Sequence, residues 1–134
     1  MAKKARVLDS WAMIAFFENE AGGERVEQVL TEAHQTGSPL YMSIVNVGEV
    51  WYNIARSHSK EVADAKIQEL RTLRIEFVEA DWEITKQAAV FKTKGNIAYA
   101  DCFAAALAKI KKAELVTGDK EFKQTEGEVT ILWI

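Results

Sequence analysis

The sequence predicts an α/β fold, a three-layer α/β/α sandwich built on a mainly parallel five-stranded sheet. Three observations carry this. Apolar segments of strand length alternate with stretches of helical period along the whole chain. Turn formers stand at the boundaries, as in Gly22-Gly23, Gly37 with Pro39, Gly95-Asn96 and Gly118-Asp119. A chain of 134 residues with one proline and no Ser/Gly/Pro-rich linker fits one core, so residues 1–134 are read as one domain.

The elements follow in order. ARVL (5–8) is a short apolar run and the first strand. Asp9 and Ser10 can both cap the helix WAMIAFFENE (11–20), which Gly22 and Gly23 end. ERVEQVLTEAH (24–34) carries a helical stripe of Val26, Val29, Leu30 and Ala33, closed by Gly37 and Pro39. LYMSIV (40–45) is the second strand, and the helix VGEVWYNIARS follows with Asn46 as a candidate cap. KEVADAKIQELRTL (60–73) is a further helix. IEFVEA (75–80) alternates and reads as the third strand. WEITKQAAVFKTK (82–94) is an amphipathic helix capped by Asp81. AYADCFAAALA opens a helix reaching about Lys112, ELVT (114–117) is the fourth strand, and VTILWI (129–134) is the fifth.

Composition excludes several classes. Hydrophobic residues make up 49% and charged residues 28%, ordinary for a water-soluble domain. No apolar run approaches the roughly 20 residues that span a bilayer. The basic start MAKKARVLDS has only Val7 and Leu8 before Asp9, too little for the apolar core of a signal peptide. The single cysteine, Cys102, rules out an internal disulfide and fits a reducing cytoplasm. Net charge is −3, without an arginine-rich run, so nucleic acid is not bound by charge alone. A phosphodiester bound here would need positive charge from elsewhere, with metal ions as the obvious source.

In a parallel α/β sheet, ligands bind beyond the carboxyl ends of the strands, at a switch in strand order. Asp9 ends the first strand and Asp119 follows the fourth, so both belong to that edge. Asp101 lies in a stretch apolar all round its early circumference, which predicts a buried helix. A buried, unpaired carboxylate needs a compensating group or a proton. Taken alone, Asp101 is explained equally well as a complement to the helix dipole. Glu49 shares a helix face with Asn46 and Asn53, opposite Val47, Val50, Trp51 and Ile54. By itself that face reads as a solvated stripe, Asp9 as a helix cap and Asp119 as a turn residue. Convergence on one edge argues for more, because four such acids repel unless a cation lies among them. Carboxylate oxygens with two scattered histidines, His34 and His58, favour Mg²⁺ or Mn²⁺ over zinc. Cys102 reads as a small buried residue. The glycine-rich phosphate loops and the GxSxG elbow are absent from the sequence.

The segments RVLDSWAMIAFF, SIVNVGEVWYNIAR, KGNIAYADCFAAALAKIKKAELVTGDKEF and the final VTILWI together resemble the PIN-domain ribonucleases, and most closely the VapC-type toxins of toxin–antitoxin pairs. The resemblance covers almost the whole chain. It implies a sheet ordered 3-2-1-4-5, with the first and fourth strands adjacent at the switch point. It makes Asp9, Glu49, Asp101 and Asp119 the four acids of catalysis and metal binding. Ser10 and Thr117 match the hydroxyl residues beside the first and fourth acids. Asn46 stands where the family often has Ser or Thr.

The implied activity is Mg²⁺- or Mn²⁺-dependent hydrolysis of RNA, leaving a 5′-phosphate and a 3′-hydroxyl. Arg56, Lys92, Lys94 and Lys120 lie near enough in sequence to touch RNA phosphates, and each also reads as ordinary surface. The resemblance further implies a homodimer and a cognate antitoxin, with no membrane. Two variants of this function stand beside it: an RNA-processing nuclease without an antitoxin, and a PIN-like binding module that has lost catalysis. A phosphoryl-transfer receiver domain fits less well, because Asp9 lacks a second acid beside it and Asp81 reads as a helix cap. Core packing is the default expectation for the four tryptophans, Trp11, Trp51, Trp82 and Trp133, with an interface as the alternative for Trp11 and Trp51.

Overall fold

The computed structural model describes residues 4–134, so the first three residues of the basic start lie outside the described residues. Five parallel strands form one sheet in the order β3-β2-β1-β4-β5. They are β1 (Arg6–Leu8), β2 (Leu40–Ser43), β3 (Ile75–Val78), β4 (Glu114–Thr117) and β5 (Ile131–Trp133). Six helices connect them: α1 (Ser10–Phe17), α2 (Gly23–Thr36), α3 (Ile44–Ser57), α4 (Lys60–Thr72), α5 (Trp82–Lys94) and α6 (Tyr99–Lys111). The expected α/β/α class and strand order are those observed.

Alternation along the central strands builds the layers. Successive strand residues face opposite sides. Val7 and Leu115 therefore join one core with α5 and α6, while Leu8 and Val116 join a second core with α1 to α4. Strands covered on both faces carry adjacent apolar residues instead of alternating ones, and the pairs Val7-Leu8 and Leu115-Val116 make β1 and β4 legible as strands. Helix α6 is buried from Asp101 to Ala108 without a break. Its five alanines between Ala100 and Ala108 leave room for the close approach of α5 and β1.

Several boundaries differ from expectation, each for a local reason. The α3 cap is Ser43, whose Oγ accepts from the Val45 N–H; Asn46 is already helical. Strand β2 ends there because Ser43 pairs with Val78, the last residue of β3. Helix α1 stops at Phe17, where the Glu18 N–H closes on the Ile14 carbonyl, short of the expected Glu20. Gly22 and Gly37 hold the left-handed backbone on either side of α2, with φ of 92° and 69°. After β4 the chain does not simply turn: Asp119 caps a short 3-10 helix, Lys120–Thr125. Asp81 caps α5 as expected.

Three tryptophans are partly covered and one is not. The Trp11 ring lies over Gly118. The Trp51 indole donates to Asp64 Oδ1 (2.9 Å), tying α3 to α4. The Trp133 indole donates to Glu126 (3.2 Å). Trp82 is 71% exposed, so core packing does not describe it.

Candidate metal centre

The carboxyl edge at β1 and β4 is the switch point, since β1 pairs with β2 on one side and β4 on the other. Asp9 leaves β1 there and caps α1, its Oδ1 accepting from the Ala12 N–H at 2.8 Å. Its Oδ2 accepts from Thr117 Oγ1 at 2.5 Å. Thr117 Oγ1 in turn accepts from the Asp119 N–H at 3.0 Å. One hydroxyl thus links the first and fourth acids, and Asp9 is fully buried.

Glu49 projects from the second turn of α3. Its Oε1 accepts from Ser10 Oγ and from Asn46 Nδ2, both at 2.9 Å. Asn46 Nδ2 also donates to the Ala100 carbonyl at 3.0 Å. The three supporting residues, Ser10, Asn46 and Thr117, therefore each hold one of the four acids in place.

Asp101 is 9% exposed at the first turn of α6. One carboxylate oxygen each from Asp101, Asp119 and Glu121 lie within 4.8 Å of one another. Glu121 has no counterpart in the sequence reading, which takes Asp119 as a turn residue and goes no further along that loop. The 3-10 helix brings it in: Asp119 Oδ1 accepts from the Glu121 N–H at 3.0 Å, and the two side chains share one end of the turn. An acid two residues beyond a capping aspartate at this edge is the signal that marks it. Asp9 and Glu49 flank this triad, close enough for their charges to be felt: Asp101 and Asp119 act on Asp9, and Glu49 acts on Asp101.

The electrostatics follow from burial. Desolvation pushes the Asp9 carboxyl from 3.8 up to about 7, against the lowering by Thr117 and the Ala12 N–H, with Asp101 and Asp119 adding to the rise. Desolvation also raises Asp101 to about 7, followed by repulsion from Asp119, Glu49 and Glu121. Among the described residues, no Lys, Arg or His forms an ion pair with any of the five acids. An all-oxygen donor set under mutual repulsion suits a hard divalent cation such as Mg²⁺ or Mn²⁺.

The four basic residues divide. Lys92 Nζ donates to the Ile97 carbonyl at 2.9 Å and Lys94 pairs with Glu128 at 3.1 Å, so both hold parts of the protein. The Arg56 guanidinium lies 4.9 Å from the centre of the Tyr52 ring, one helical turn and more beyond Glu49. Lys120 is exposed between Asp119 and Glu121. His34 is exposed and donates to the Leu73 carbonyl at 2.7 Å, and exposed His58 contacts Glu18 at 3.2 Å, so neither reaches the centre. Cys102 is buried, and burial raises its thiol.

Comparison with known proteins agrees with this geometry. No curated protein sequence matches the chain. Among solved structures, VapBC2 from Rickettsia felis, bound to a DNA fragment from its promoter, is similar with a TM-score of 0.76 at 18% identity, over 96% of this chain and 97% of that one. DNA-bound VapBC from Salmonella typhimurium gives 0.74 at 15% identity, over 98% of both chains. Mycobacterium tuberculosis VapC20, described as a sarcin-ricin loop cleaving toxin, gives 0.71 at 14% identity, over 92% of this chain and 96% of that one. At these identities the likeness is one of fold. The family model for the PIN domain matches residues 6–128, nearly the whole chain, and with its acids gathered at the switch point this protein belongs to the PIN-domain family.

Proposed function

We propose that this protein is a metal-dependent endoribonuclease that hydrolyses RNA phosphodiester bonds, and that it is the toxin of a type II toxin–antitoxin pair. One observation carries the catalytic part. Asp101 is 9% exposed, its oxygen lies within 4.8 Å of those of Asp119 and Glu121, and no ion pair from the described residues relieves the repulsion. Membership of the PIN family and a fold shared with VapBC structures support the toxin assignment. They also support an antitoxin as protein partner; the homodimer is proposed from the sequence resemblance alone. No helix of the described residues is long and apolar enough to cross a membrane, which fits the cytoplasmic place expected of such a toxin.

Asp101, Asp119 and Glu121, flanked by Asp9 and Glu49, would hold the cation. A bound Mg²⁺ or Mn²⁺ supplies charge stabilisation at the phosphate and lowers the pKa of water. The protein's own groups do the rest. Thr117 fixes Asp9, while Ser10 and Asn46 fix Glu49, so the acids meet substrate without rearranging. No N–H or O–H of the described residues donates to Asp101, so whichever of its oxygens the cation did not engage would be open to take a proton from the attacking water. Of the four basic residues expected near RNA, Arg56 and Lys120 form no ion pair among the described residues and are the ones assigned to meet RNA phosphates.

The test uses protein purified free of any antitoxin and incubated with structured RNA, with Mg²⁺, with Mn²⁺ or with EDTA. Cleavage is expected only with metal, and Asp9→Asn and Asp101→Asn should abolish it. Cleavage in EDTA, or in both variants, overturns the mechanism. Metal binding by the wild type without cleavage of any RNA favours the binding-module alternative. Cleavage without cellular toxicity favours an RNA-processing nuclease.

A further inference from the structure

We infer that Asn46 is a positioning residue that sets the spacing between Glu49 and Asp101, through two hydrogen bonds donated by its one amide nitrogen. The inference rests on the proposal that these acids hold a divalent cation. Asn46 is fully buried. Its Nδ2 carries two hydrogens, and each has an acceptor: Glu49 Oε1 at 2.9 Å and the Ala100 carbonyl at 3.0 Å. That carbonyl belongs to the peptide unit leading directly into Asp101. One side chain from α3 therefore grips its own helix's acid and the backbone that carries the acid of α6.

The orientation of the amide is fixed by its partners. Turning it over would set Oδ1 against a carboxylate and a carbonyl, two acceptors facing a third. The consequence is visible on the other side: Asn46 Oδ1 is buried and accepts nothing. A buried acceptor without a donor carries a desolvation cost, so a residue chosen for stability alone would avoid it. The arrangement makes sense where the two N–H bonds matter more than the orphaned oxygen. A serine or threonine hydroxyl has one hydrogen and can grip only one of the two acceptors. Asparagine at this position thus adds a link between α3 and α6 that a hydroxyl lacks.

The experiment is calorimetric titration of the metal-free protein with Mn²⁺, run on wild type, Asn46→Ala, Asn46→Asp and Asn46→Ser, beside thermal melts with and without Mn²⁺. Asn46→Asp keeps the shape, loses both donors and faces Glu49 with like charge. We expect Mn²⁺ affinity to fall about 10- to 100-fold in Asn46→Ala and Asn46→Asp, the range for residues that orient metal ligands. Asn46→Ser should fall between these and wild type. The rise in Tm caused by Mn²⁺ should shrink in the same order. A merely structural asparagine would lower Tm equally with and without metal and leave affinity unchanged, and that result overturns the inference. If Asn46→Ala does not fold, Asn46→Ser with wild-type affinity overturns it equally. Wild type that binds Mn²⁺ but cuts no RNA removes the nuclease proposal and leaves the affinities to decide this one. Wild type that binds no Mn²⁺ removes both.

Discussion

Thr117 donates its hydroxyl to the buried carboxylate of Asp9 across 2.5 Å, joining the ends of the two strands at the switch point. The same oxygen accepts from the Asp119 N–H. Thr117→Val keeps the shape and loses both bonds. It should destabilise the protein by about 1–3 kcal/mol, the cost of orphaning buried polar groups. The hydroxyl also favours the charged form of Asp9, so its loss should move the acid limb of the pH–rate profile upward. Thr117→Ser should restore the profile. Denaturant melts and cleavage rates from pH 5 to 9 check both, and an unmoved acid limb in Thr117→Val sinks the argument.

Asp9 and Asp101 both titrate near 7 in the folded, metal-free protein, against 3.8 as the ordinary value. Between pH 4 and 7 the folded state therefore holds more protons than the unfolded state, and stability falls as pH rises. In EDTA, stability should drop by on the order of 5 kcal/mol between pH 5 and 8 from these two groups together. The two carboxyls interact, so the fall belongs to the pair. Added Mn²⁺ should reverse it, with metal affinity rising over the same interval as the protons leave. Melting temperatures on a pH series, with and without metal, decide this. A metal-free protein that gains stability from this site up to pH 8 contradicts it.

Asp101→Asn separates function from stability. The substitution removes a charge repelled by Asp119, Glu49 and Glu121, at nearly constant volume. Metal-free protein at pH 7.5 should melt at a higher temperature than wild type, while cleavage falls by at least about 100-fold. Glu121→Gln should show the same opposition in weaker form, because Glu121 is exposed and Asp101 is not. Loss of activity accompanied by loss of metal-free stability would mean that the acid is structural.

Legibility in the sequence tracked how local each determinant is. The centres of β1 and β4, Val7-Leu8 and Leu115-Val116, are apolar on both faces, and α6 is apolar nearly all round its first turns, so their burial shows in composition. Asp9 is legible because a strand exit and a helix cap coincide there. The α3 cap was misplaced because Ser43 and Asn46 are both good caps three residues apart, and the choice falls to the pairing of Ser43 with Val78 across the sheet. Glu121 was missed because its role depends on a 3-10 turn whose side chains meet Asp101, a residue of a different element. Trp82 belongs to the same class: an aromatic residue in an amphipathic stretch reads as core, yet its position on α5 leaves it 71% exposed.

The glycine in VTGD can be tested as a spacer. A Cβ on Gly118 would lie 2.3 Å from Trp11 Cη2 and 2.5 Å from Cζ3, so the indole occupies the space a side chain would need. Gly118 also separates Thr117, which holds Asp9, from Asp119 in the acid triad. Gly118→Ala should therefore cost about 1–3 kcal/mol through overpacking and reduce cleavage by displacing Asp119. The clashing atoms belong to the outer ring of the indole, which phenylalanine lacks. Trp11→Phe should lose stability alone, and the double variant should lose less than the sum of the two. A double-mutant cycle by denaturant unfolding should give a favourable coupling of at least about 0.5 kcal/mol, the threshold for residues in contact. Strict additivity would show that the ring yields without cost and that the glycine is there for another reason.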